Sequence, residues 1–223
     1  MNSNSTPTPQ HKNIWYCNSG EKYKGEEPLF FDIDAPWVDL LEKNWLVIRG
    51  ELDNLLQSKI NPLIHNPEID LVSTPGQWKV FPFLFWNKKF EVNCQKCPQT
   101  VGLLKSLPNV VSASFSLLEP NSAIKPHRGN TNAVMRCHLG LKIPASLPDC
   151  GIKIGNKKRS WVEGEAFVFC DCHRHSAWNH TSEKRYVLML DVIRPEFVSK
   201  TKEICDRVFS FQFRKAVRIL TSR

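Results

Sequence analysis

A chain of 223 residues is long enough for one large domain or two small ones. With 41% hydrophobic and 10% aromatic residues it can bury a sizeable core, and no apolar run approaches the ~18 residues that a membrane-crossing helix needs. The net charge of +8 is concentrated at one end, where seven basic residues between Lys200 and Arg223 stand against Glu203 and Asp206; no nucleic-acid motif accompanies them, so nucleic acid is not expected as a partner.

Residues 1–25 are mostly polar and lack the apolar stretch of an export signal, so they read as a flexible tail. The eight cysteines are accordingly expected as reduced thiols in a cytoplasmic protein. Cys94-Gln-Lys-Cys97 and Cys170-Asp-Cys172 have the look of thiolate pairs, but the interval between them is too long for a zinc ribbon. Ordinary thiols are the expectation there.

Leu40, Leu41, Trp45, Ile48, Leu52, Leu55 and Leu56 recur at helical steps after Pro36, which predicts a packing helix over residues 36–60. Pro62, Pro67 and Pro75 mark a loop region. Residues 78–86 read as an aromatic strand whose Pro82 implies an edge or a bulge, and residues 98–107 as a short helix. From Val110 the texture becomes β. Residues 111–118 alternate, and residues 133–143 alternate more informatively. Met135, Cys137, Leu139, Leu141 and Ile143 form one apolar face, while Arg136, His138 and Gly140 share the other. Further strands are predicted over 151–156, running into a turn, and over 166–170 and 185–193, and no internal repeat is visible. The pattern is mainly β, a sandwich or barrel with flanking helices. It divides into a tail (1–25), a main domain (26–198) and a basic C-terminal helix (199–223). In that helix Phe209, Phe213, Val217 and Leu220 fall on one face, with Arg207, Arg214, Lys215 and Arg218 around it. Such a helix either packs on the outside of the barrel or makes a weak contact with an anionic membrane surface.

Five of the seven histidines fall between Ser116 and Arg185. His127 follows a strand-turn and His175 follows the strand over 166–170, so two strand-end imidazoles would meet at one mouth of a jelly roll and suit a first-row metal such as Fe(II). Two surface turn histidines are the alternative. The carboxylate usual two residues after the first histidine is replaced by Gly129. Arg136 and Arg185 inside strands are either ligands for an anion or members of structural ion pairs.

Several motifs recur in order between about residues 78 and 196: Pro126-His127-x-Gly129-x-Thr131-Asn132, Arg136-x-His138-Leu139-Gly140-Leu141, Trp161-x-Glu163-Gly164, His175-x-x-Trp178, Arg185, and Asp191-Val192-x-x-Pro195-Glu196. In these the chain resembles the aspartyl/asparaginyl β-hydroxylase family of iron- and 2-oxoglutarate-dependent oxygenases, in which glycine at the Gly129 position is normal. The resemblance implies a double-stranded β-helix core, jelly-roll and cupin-like, with flanking helices. It implies Fe(II), 2-oxoglutarate and O2 as cofactor and cosubstrates, with succinate and CO2 released. It makes His127 and His175 the iron ligands, Arg185 with Ser116 the holders of the distal carboxylate of 2-oxoglutarate, and Arg136 and His138 neighbours of its metal-side carboxylate. Asp171, four residues before His175, would orient a ligand histidine. His173 and His180 match nothing in this scheme.

The substrate expected is a peptide of the Asp/Asn type or a small acidic molecule, with Arg128 placed to face an anion. The alternatives on the same site are a halogenase, with chloride in the room beside Gly129, a lipid acyl-chain hydroxylase, and a non-catalytic cupin-like binding protein.

Overall fold

The computed structural model describes residues 13–221 other than 33–34, 59–61, 67, 69–70 and 75–76, with side chains as far as residue 215. Residues 1–12, Pro67, Pro75 and the side chains of Val217, Arg218 and Leu220 lie outside the described residues.

The strands are β1 (Phe30–Phe31), β2 (Ile64–His65), β3 (Trp78–Phe85), β4 (Lys88–Lys89), β5 (Val110–Leu118) and β6 (Ser122–His127), then β7 (Val134–Lys142), β8 (Cys150–Ile154), β9 (Lys157–Arg159), β10 (Ala166–Phe169), β11 (His175–Asn179) and β12 (Arg185–Ile193). They form two antiparallel sheets. The larger runs β1-β10-β7-β12-β5-β3-β2, with β4 paired to β3, and the smaller runs β6-β11-β8-β9. This is the double-stranded β-helix expected from the sequence. The register of β3 on β5 shifts between Pro82 and Leu84, the bulge that a proline without an N–H calls for.

Strand alternation decides what each face meets. Cys137, Leu139 and Leu141 of β7 point away from the smaller sheet and bury against α1 (Pro36–Lys43) and α2 (Trp45–Leu56) through Leu41, Ile48 and Leu52. Arg136 and His138 point the other way, toward the space between the sheets. That space is walled by Leu118, Ile124, Ile152, Ile154, Phe167, Phe169 and Val187. The single helix predicted over 36–60 is two, because Asn44 leaves helical geometry (φ −108°, ψ 12°) and its side-chain amide donates to the Leu40 carbonyl at 2.8 Å. Two short helices, α3 (Glu91–Lys96) and α4 (Pro98–Ser106), complete the outer layer. The buried Glu51 carboxylate of α2 accepts the first backbone N–H groups of α4, from Gln99 at 2.9 Å and Thr100 at 2.7 Å, and so locks the helical layer together.

The polar N-terminal segment does not behave as a tail as far as residue 25. From Asn13 onward it packs on the barrel. Tyr16 bridges to Thr131, and Tyr16 and Tyr23 are buried. Glu27 accepts from Tyr23, from Asn132 at 2.7 Å and from Arg194 at 2.9 Å. Burial alone would raise the Glu27 carboxyl, but these three donors outweigh it and hold it below the usual range. A run that looks hydrophilic is ordered because its few large side chains find buried partners more than a hundred residues away.

After a 3-10 turn (Pro195–Lys200), α5 (Thr201–Thr221) packs Ile204, Cys205 and Val208 against Tyr16, Trp86 and Ile193. Farther along, Gln212 donates to Asn130 at 2.5 Å and Lys215 pairs with Glu68 at 3.1 Å. These contacts bring α5 to the turn that follows His127. Among the described residues no helix is long and apolar enough to cross a membrane.

Candidate active site

β6 ends at His127 and β11 begins at His175, and the two residues are register partners. A register shift just after His175 re-aims the strand, and the imidazole centroids come to 4.1 Å, tilted by 55°. Each ring is held in the same way. His127 Nδ1 meets the Lys125 carbonyl at 2.8 Å, and His175 Nδ1 meets the His173 carbonyl at 2.9 Å. A carbonyl only accepts, so each Nδ1 carries the proton and each Nε2 keeps a lone pair. Burial is the largest cause lowering both pKa values, and at His175 the His127 ring adds to it. Two neutral imidazoles with oriented Nε2 lone pairs fit a first-row divalent metal. The described residues contain no group of three or more His, Cys, Asp or Glu arranged to hold a metal.

Gly129 stands where the usual carboxylate would be. Its N–H donates to the Asp171 carbonyl at 2.7 Å, and a Cβ built on it would overlap the Asp171 carboxylate. The room expected beside Gly129 is therefore filled by Asp171. Nor do the two histidines lean on that carboxylate: backbone carbonyls orient both rings. Asp171 pairs instead with Arg136 Nη1 at 3.0 Å. Arg136 also forks onto Asp191, with Nε to Oδ1 at 2.7 Å and Nη2 to Oδ2 at 2.9 Å. Burial pushes Asp171 up to about 6, against the pull of Arg136 and with the push of Asp191, while the two aspartates raise the Arg136 pKa. Of the two readings open for an in-strand arginine, Arg136 is engaged in the structural one.

Arg185 differs. It opens β12, is 2% exposed, and pairs with no acidic side chain among the described residues; its Nε and Nη1 lack hydrogen-bond partners. Burial lowers its pKa to about 10, which still leaves it a cation at neutral pH. Its guanidinium lies over the Trp161 ring at 4.6 Å. Ser116 is a diagonal neighbour on the same inner face, because Leu118 partners Arg185 and Val187 partners Ser116. Trp78 Nε1 donates to Ser116 Oγ at 3.0 Å, which leaves the serine O–H to donate elsewhere. His138, also buried, accepts from Trp161 Nε1 at Nδ1 and has no partner at Nε2.

One cavity is lined by His127, His175, Arg136, His138, Arg185 and Ser116, so all six residues expected at the site come together. Its lining contains no aspartate or glutamate. Trp78 and Trp161 line it too; the sequence marks Trp161 only as part of a motif and Trp78 only as the start of an aromatic strand. Arg128 does not face this space. It donates to the Cys172 carbonyl at 2.6 Å and lies over Tyr23 at 5.7 Å. His173 meets the Glu27 carbonyl at 2.7 Å, and His180 is exposed beside Trp178. Cys94 and Cys97 pack in the helical core, whereas Cys170 and Cys172 sit with Tyr23, so the two thiol pairs are in separate clusters.

Fold and site together define a double-stranded β-helix with a histidine pair and a cavity that holds the unpaired Arg185 guanidinium. The chain belongs to the aspartyl/asparaginyl beta-hydroxylase family, whose model matches residues 42–195. Similar proteins include an ornithine lipid ester-linked acyl 2-hydroxylase of Rhizobium tropici, 36% identical over 175 residues, which are 77% of this chain and 62% of that protein. Aspartate beta-hydroxylase domain-containing protein 2 of Mus musculus is 33% identical over 184 residues, 78% of this chain and 52% of that one. Aspartyl/asparaginyl beta-hydroxylase of Homo sapiens is 31% identical over 170 residues, 74% of this chain and 22% of that one. The chain thus spans less than two thirds of the length of each of these relatives.

Gly129→Ala is expected to expel the Asp171 carboxylate from its place and break its ion pair with Arg136. The cost should be on the order of 3–5 kcal/mol, the scale for stranding one member of a buried pair. Denaturant unfolding of the variant measures it; a loss under ~1 kcal/mol would show that Asp171 moves aside freely.

Proposed function

We propose that the chain is an Fe(II)- and 2-oxoglutarate-dependent hydroxylase. The observation that carries this reading is the buried Arg185 guanidinium, which meets no carboxylate among the described residues. An unpaired buried charge costs several kcal/mol, so a fold that keeps one has a use for it. A dicarboxylate that enters the cavity supplies the missing anion. In this reading Arg185 and Ser116 hold the distal carboxylate, and the Nε2–H of His138 donates to the metal-side carboxylate. Arg136, already balanced by Asp171 and Asp191, lines the wall near that end as a fixed, neutralised group. His127 and His175 would hold iron, which supplies the activation of O2 when bound. The apolar walls exclude water from the reacting centre. Succinate and CO2 are the products expected from the cosubstrate, and a peptide of the Asp/Asn type or a small acidic molecule is the first substrate class.

His127→Ala and His175→Ala test the metal pair. Each should lower Fe(II) affinity by more than the ~10–100-fold that loss of a supporting contact costs, and abolish succinate formation, with folding retained. Metal content after equilibrium dialysis reads the first effect without any turnover. Near-normal iron affinity in either variant would overturn the ligand assignment.

A second reading is favoured by the position of α5. Its contacts with Asn130 and Glu68 put it beside the turn after His127, and Phe213 on it is 60% exposed next to the exposed Arg214. Phe213 stacks on Phe209, whose ring lies under Lys88 at 5.4 Å. An exposed aromatic flanked by cations on this helix suits an anionic lipid surface, each cation being worth ~1 kcal/mol there. The substrate would then be a lipid acyl chain, the group named for the Rhizobium tropici relative. Co-sedimentation with phosphatidylglycerol vesicles should show binding at low salt that fades at high salt and is weakened by Arg214→Glu with Phe213→Ser. No binding at low salt would remove this reading.

A further inference from the structure

We propose that Trp161 is a positioning residue that fixes His138 as an Nε2–H donor and clamps Arg185, so that one indole prepares both ends of the cavity for an anionic ligand. The proposal rests on the reading of this cavity as a dicarboxylate site. An indole nitrogen can only donate. Trp161 Nε1 lies 3.2 Å from His138 Nδ1, so Nδ1 must accept and cannot carry a proton. A neutral His138 then has its proton on Nε2, the atom that is buried without a partner. Burial, with Arg185 and Arg136 nearby, drives the His138 pKa well below the usual imidazole value and so favours that neutral form. The opposite tautomer would set two N–H groups against each other and turn a lone pair toward the incoming carboxylate. The face of the same indole carries the Arg185 guanidinium.

The backbone holds Trp161 at the height of His138. The turn that follows it docks on Gly140, two residues beyond His138 on β7. Gly140 donates to the Glu165 carbonyl and accepts from Gly164, both at 3.0 Å. A Cβ at Gly140 would run into the Val162 carbonyl, and Gly164 takes φ +81° to close the turn. Strand and turn therefore move as one unit, and the distance between indole and imidazole is set by main chain.

The test is Trp161→Phe, which keeps an aromatic face for Arg185 and removes the N–H together with the pyrrole ring that carries it. Histidine ¹⁵N spectra of the ligand-free protein, with His138 assigned through His138→Asn, report the tautomer directly. Wild type is expected to show His138 protonated at Nε2 alone, and Trp161→Phe a mixture of tautomers. The dissociation constant for 2-oxoglutarate, measured by calorimetry on Mn(II)-loaded protein, should rise roughly 10- to 100-fold in Trp161→Phe. Trp161→Leu should raise it further, because Arg185 also loses its platform. The proposal is overturned if wild-type His138 is protonated at Nδ1 or doubly protonated, if Trp161→Phe keeps the Nε2–H tautomer, or if its affinity for 2-oxoglutarate is unchanged. The wild-type spectrum decides the tautomer even if the variant fails to fold. Failure of wild type to bind 2-oxoglutarate would count against the cosubstrate reading while the spectra still decide the role of Trp161.

Discussion

A guanidinium held 2% exposed, with no carboxylate facing it among the described residues, is the constraint on which the inner face of this barrel depends. Arg185 cannot turn to solvent, because β12 is flanked by β5 and β7 and its inner face is covered by the smaller sheet. It is made tolerable by the aromatic face of Trp161. Arg136 offers the internal control. The same side chain, on the neighbouring strand and the same face, draws in two aspartates from elsewhere in the chain. The fold thus shows that it can neutralise a buried arginine, and at Arg185 it does not.

The polar inventory sorts along the same line. Around the histidine pair every orienting contact is internal: carbonyls fix the rings, and Asp171 is spent on Arg136 and on the space beside Gly129. Deeper in the cavity the polar atoms point at nothing. Arg185 Nε and Nη1 and His138 Nε2 are all buried and unpartnered. The protein thus completes the orienting contacts of the histidine pair and leaves polar atoms of Arg185 and His138 without hydrogen-bond partners inside the cavity.

Much of this was legible in the sequence, and the reasons are local. Alternation over residues 133–143 placed Arg136 and His138 on one face without any structure, because a strand buried differently on its two sides writes that difference in period two. The span 185–193, read as a further strand, coincides with β12. Contacts made at a distance were hidden. Nothing in the neighbourhood of Arg136 announces Asp171 and Asp191, 35 and 55 positions away, whereas Arg185 looks identical and has no such partners. The break at Asn44 is a single hydrogen bond to Leu40 inside an unbroken apolar rhythm. The ordered segment from Asn13 onward reads as solvent-exposed because its composition is polar, and only the burial of Tyr16, Tyr23 and Glu27 reveals otherwise. Two-residue strands such as β1 and β2 are too short for any period to register.

The most direct test is the unfolding free energy of Arg185→Met against wild type, with and without 2-oxoglutarate. Methionine keeps most of the packing and removes the charge. Without ligand the variant should be within about 1 kcal/mol of wild type or more stable, since an unpaired buried cation is lost. At a 2-oxoglutarate concentration ~100 times the dissociation constant, wild type should gain ~2.7 kcal/mol and the variant almost nothing. A variant that loses several kcal/mol without ligand, and gains as much as wild type when 2-oxoglutarate is added, would contradict the assignment of Arg185 as the anchor of the cosubstrate.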